Sequence, residues 1–91
     1  MRQEHKKLGV WVEIPDPLLQ RHVEALFKGI REIGLDPEKV SSPEYNGGLV
    51  EAAQRLGWCP GPIGDMRPAA VTWIARKIND TVAEALDIPP E

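Results

Sequence analysis

Nine prolines decide where this 91-residue chain can be regular. Proline has no backbone N–H and a fixed φ, so it is kept out of helix interiors and central strands but accepted at the first turn of a helix. Pro15, Pro17, Pro37, Pro43, Pro60, Pro62, Pro68, Pro89 and Pro90 leave four stretches long enough for an element. A chain of this length supports one core, so residues 1–91 are expected to form a single domain.

The first stretch begins with a polar N-terminal segment, 1–7, and continues with a strand over 8–14. Leu8, Val10, Val12 and Ile14 alternate with Trp11 and Glu13 at period two. Pro15 and Pro17 end the strand. Asp16 as N-cap and Pro17 at the first helical position predict a helix over 17–33. Leu19, Val23, Leu26, Phe27, Ile30 and Ile33 form its apolar stripe, and Gly34 stops it. A second helix is expected over 46–56, with Leu49, Ala52, Ala53 and Leu56 inward and Gly57 closing it. Pro43, capped by Ser42, is an alternative start. Pro68 opens the longest helix, 68–86, in which Val71, Ile74, Ala75, Ile78, Val82 and Leu86 recur at helical spacing. Pro89 and Pro90 leave a tail, 87–91. The expected fold is mainly α: a small three-helix domain with one short N-terminal β-strand.

A single strand raises a problem of hydrogen-bond accounting, because its N–H and C=O groups need partners once buried. Three solutions are open. The strand forms a hairpin with residues 3–7, it meets an extended piece near residues 58–63, or it pairs with another chain, as in edge-strand addition. The last makes Val10, Trp11, Val12 and Ile14 interface candidates. Trp11 stands out among them because it lies on the face opposite Val10 and Val12, and large aromatics anchor interfaces. Leu18 and Ile88, apolar residues at element ends, join the set.

Chemistry is harder to find. A hydrophobic fraction of 42% and a charged fraction of 27% describe an ordinary globular chain. Its net charge of −3 lacks the basic footprint of a nucleic-acid binder. The glycines of 47–48 and 57–64 match neither dinucleotide nor phosphate-loop patterns. Cys59 is the lone cysteine, which excludes an intramolecular disulfide and points to a reducing compartment, and only His5 and His22 accompany it. His22 sits at the edge of the first helical stripe. Asp80 and Glu84 share a helix face with Arg76 and Lys77 one turn upstream, the pattern of a solvated surface. No catalytic, cofactor or metal residue is assigned, and no enzyme activity is expected. The N-terminal region holds no apolar run long enough for a signal peptide or membrane span, so the expected location is the cytoplasm.

The stretch Pro68 to Glu91 (PAAVTWIARKINDTVAEALDIPPE), with Ile14-Pro15-Asp16-Pro17-Leu18-Leu19 and Pro43-Glu44-Tyr45-Asn46-Gly47-Gly48, resembles small tail-region proteins of tailed phages and prophages. These pieces span about half the chain and contain no chemical signature. The resemblance implies a tail assembly chaperone or related virion morphogenesis protein: helical, non-enzymatic, self-associating, and active in the host cytoplasm. Such a chaperone shields the long apolar helices of a tape measure protein until tail tube subunits replace it. The implied partners are therefore a tape measure or tail tube protein and further copies of the chain. The alternative is a small regulator or inhibitor acting on nucleic acid or a nucleic-acid enzyme. It would use Arg21, Lys28 and Arg31, together with Arg2, Lys6 and Lys7, although Glu24 and Glu32 dilute that patch.

Overall fold

The structure, a computed structural model, describes residues 2–40 and 42–85. It is mainly α, with three helices and a two-stranded antiparallel sheet at the N-terminus. Strand β1 (Arg2–His5) lies within the polar N-terminal segment, one residue earlier than the hairpin partner 3–7 considered above, and it pairs with β2 (Val10–Glu13). The register is Arg2 to Glu13, Gln3 to Val12, Glu4 to Trp11 and His5 to Val10. Gly9 N–H closes the connecting turn on the His5 carbonyl at 2.9 Å. The hairpin solution is the one adopted, and a single further bond reaches the segment near residue 58, where Glu13 N–H donates to the Trp58 carbonyl at 2.7 Å. The strand that posed the accounting problem is thus paired within one chain.

Helix α1 (Gln20–Glu32) starts three residues later than the proline pattern predicts. Asp16 and Pro17 form a bend across a cis peptide bond instead, and Leu19 becomes the N-cap. Leucine has no side-chain acceptor, so the cap is built from the other direction: His22 Nδ1 accepts the Leu19 N–H at 2.9 Å. A 3-10 turn at Pro37–Lys39 follows, with the Asp36 carboxylate accepting the Glu38 N–H at 3.0 Å. A second such turn at Pro43–Tyr45 leads into α2 (Asn46–Arg55). A third, Ile63–Asp65, precedes α3 (Pro68–Ala85).

Both α1 and α2 end in the same way. Gly34 (φ 85°) and Gly57 (φ 78°) take the left-handed conformation that costs glycine nothing. Gly34 N–H bonds Arg31 O and Leu35 N–H bonds Ile30 O, while Gly57 N–H bonds Gln54 O and Trp58 N–H bonds Ala53 O. These paired bonds satisfy the last carbonyls of each helix and turn the chain back toward the core.

Helix α2 is the middle layer, packed against both α1 and α3, which lean on it more than on each other. Its contact with α1 is close because Gly29 faces Ala52, where an added Cβ would stand 3.5 Å from the alanine methyl. Val50 is buried, whereas Leu56, expected to face inward, falls at the C-cap and is exposed. The core joins Val12 and Ile14 of the hairpin region to Val23, Leu26 and Ile30 of α1, Leu49 and Ala53 of α2, Trp58, and Ile74 and Ile78 of α3. No helix among the described residues is long and apolar enough to cross a membrane.

Candidate functional site

The hairpin has two unlike faces. Val10 and Val12 point to the core beside α3, and their cross-strand neighbours His5 and Gln3 are half-buried on the same side. The His5 ring meets Trp73 edge-on with centroids 5.3 Å apart, and Lys77 lies 5.8 Å from the centre of the Trp73 ring. On the outer face stand Arg2, Glu4, Trp11 and Glu13. The Arg2 guanidinium lies 4.5 Å over Trp11 and bonds Glu13 at 2.8 Å and Glu4 at 3.3 Å. The Glu13 hydrogen bond is the main reason the Arg2 pKa is raised above its ordinary value.

The interface candidates separate accordingly. Val10, Val12 and Ile14 are spent on the core of their own chain, so they present no surface to a partner. Period two explains this, since a strand that buries one face in its own helices cannot offer that face elsewhere. Trp11 is half-buried beneath Arg2, and Leu18 is half-buried against the core. Ile88 lies outside the described residues, as does Leu86 of the expected third helix.

Because α1 and α3 both rest on α2, a groove of about 600 Å³ opens between them. Leu49 and Ile78 contribute to its floor, Leu26 and Phe27 to the α1 wall, Val82 and Ala83 to the α3 wall, and Pro37 and Val40 of the connector to one end. Arg31 stands on the α1 side, and Glu38 and Asp80 on the connector and α3 sides. Among the described residues the only ion pairs are those of Arg2, so these three rim charges have no ionic partner within that part of the chain.

No family model, curated protein or solved structure matches this chain. Its surfaces and side-chain chemistry are what bear on function. Cys59 is buried, its thiol donating to the Val50 carbonyl at 3.6 Å, and burial pushes its pKa up to about 11. A thiol held neutral in this way is a poor nucleophile. No group of three or more His, Cys, Asp or Glu among the described residues is placed to hold a metal ion. On α1, Arg21, Lys28 and Arg31 are all exposed, but Gln20 and Glu24, joined at 3.1 Å, interrupt them.

The groove is not visible in the sequence pattern. Spacing places Phe27 and Val82 on apolar stripes, which is correct as far as periodicity reaches, and Val40 is hidden in a connector. The one available signal is Phe27 directly after Leu26, which widens the α1 stripe beyond what a single helical neighbour covers.

Proposed function

We propose that this protein acts by binding rather than by catalysis, and that its groove receives an amphipathic helix from a partner protein. One observation carries the reading: an apolar trough walled by two helices and floored by a third is the shape into which a helix lays its apolar face. The rim charges define the partner further. A helix with an acidic residue on the side facing Arg31 and basic residues on the side facing Glu38 and Asp80 would meet complementary charge along both edges.

The resemblance to tail assembly chaperones supplies a partner of this kind. A tape measure protein is long, helical and apolar, so it needs its stripes covered until tail tube subunits take over. In this reading the protein is a self-associating morphogenesis factor of the host cytoplasm, free of cofactors and metals.

The test is co-expression with a tape measure protein of a tailed phage. The wild-type chain should keep that protein soluble and co-purify with it. Phe27→Glu places a charge in the trough and should abolish protection, while far-ultraviolet circular dichroism confirms that the variant is folded. Arg31→Glu, an exposed change that leaves the core untouched, should weaken binding in a salt-dependent manner. Unaltered protection by folded Phe27→Glu would sink the groove as the binding site.

A further inference from the structure

We propose that two copies of this protein join edge to edge through β1, forming a continuous four-stranded antiparallel sheet about a twofold axis at Gln3. The proposal deepens the self-association named above and does not use the groove.

The first ground is the direction of the backbone groups. Glu13 N–H donates to the Trp58 carbonyl, so the backbone of Glu13 faces away from β1. In an antiparallel pair, facing residues alternate between those that exchange hydrogen bonds with each other and those that point theirs outward. Arg2, which pairs with Glu13, and Glu4, which pairs with Trp11, therefore aim their N–H and C=O groups out of the β1 edge. On the β2 edge the Trp58 carbonyl takes the Glu13 N–H. No backbone hydrogen bond among the described residues covers the Arg2 and Glu4 groups on the β1 edge, and such an edge is a template for another strand.

The second ground is charge. A second β1 can exchange hydrogen bonds only in registers that set Arg2 and Glu4 against residues of the same outward parity. Setting Arg2 against the partner's Arg2, or Glu4 against the partner's Glu4, opposes like charges. Setting Arg2 against the partner's Glu4, and Glu4 against the partner's Arg2, opposes unlike charges twice. In that register a row across the outer face reads Glu13, Arg2, the partner's Glu4 and the partner's Trp11. Arg2 then stands between two carboxylates, extending the bridge it already makes to Glu13 at 2.8 Å. Arg2 and Glu4 of β1 are thus self-complementary in charge and in backbone direction at a single offset.

A strand pair of this length buries less than the roughly 1,200 Å² of a standard interface, so the dimer is weak and depends on concentration. Sedimentation velocity of the full chain from micromolar to millimolar concentration should show monomer passing to dimer. Glu4→Lys and Arg2→Glu should each loosen self-association by about tenfold or more, since each opposes like charges across the axis. Mixed in equal amounts, the two variants should associate again. Arg2 of the first then faces Glu4 of the second, and the lysine introduced in one faces the glutamate introduced in the other. As a check independent of substitution, exchange of the wild-type Arg2 and Glu4 amide protons should slow as concentration rises.

A wild-type chain that stays monomeric at millimolar concentration overturns the proposal. So does a dimer that Glu4→Lys leaves intact, or amide exchange at Glu4 that ignores concentration. Glu4→Lys should leave capture of the tape measure protein unchanged, and Phe27→Glu should leave the dimer unchanged, so failure of either reading can be told from failure of the other.

Discussion

The two ends of α3 carry the same kind of apolar stripe and meet different fates. Near Trp73 the hairpin lies over the helix, with β2 packed on it and His5 edge-on to the indole. Near Val82, itself buried, the helix lines the groove it shares with α1, and Ala83 beside it is exposed. Periodicity is alike at both ends, so the contrast is set by which other element happens to lie above. A stripe at helical spacing therefore predicts that a face will be covered, but not by whom.

The largest expected effect tests the covered end. Ile74 has no exposed surface, and Ile74→Ala should cost about 3 kcal/mol, within the range for a buried aliphatic cut to alanine, because a sealed cavity replaces it. Phe27→Ala in the groove removes a larger side chain yet should cost only about 1 kcal/mol, since the half-buried ring leaves a space that water can enter. Urea titrations of the two variants give the comparison directly. Equal losses would mean that the groove is as tightly closed as the covered end, and the contrast would fail.

Next in size is the hinge between the layers. Gly57 turns the chain out of α2 toward the carbonyl that secures β2, and a Cβ there would touch nothing within 4 Å. Its cost is backbone conformation alone, so Gly57→Ala should destabilise by about 1 kcal/mol or slightly more. The loss should appear as earlier exchange of the Glu13 amide, on the covered side and not in the groove. Smaller again is His22→Ala, expected at about 0.5 kcal/mol because it removes the side-chain half of a cap while leaving the helix hydrogen bonds in place.

These positions also mark how far the sequence can be read. The stripes of α1, α2 and α3, the stops at Gly34 and Gly57, and the strand around Val12 follow from spacing and backbone chemistry. Strand β1 does not, because Gln3 and His5, its inward residues, are polar and erase the period-two signal. The proline pattern sets the start of α1 too early because a proline that can open a helix can equally sit in a bend. Interface candidacy for Val10, Val12 and Ile14 rests on the strand being unpaired, and β1 removes that premise. The groove arises from how two helices lie relative to each other across α2, a quantity that no single segment encodes.

The smallest effect at neutral pH belongs to Cys59, which reports how dry the covered side is. Burial raises its thiol pKa to about 11 from an ordinary value of 9.0. The folded state therefore keeps the proton to a higher pH than the unfolded state does, and unfolding releases it in between. Its contribution is complete below pH 9, falls as pH rises from about 9 to about 11, and is gone above. Cys59→Ala should show a flatter stability profile than the wild type across that interval and an unchanged slope between pH 7 and 9. A thiol reagent at pH 8 should leave native Cys59 unmodified, because no thiolate is accessible there. Phe27→Cys in a Cys59→Ala background should react at once, since its sulfur would line the groove. Rapid labelling of native Cys59 would show that water reaches the core beside α2 as freely as it reaches the groove. The core and the groove would then differ in shape alone and not in solvation.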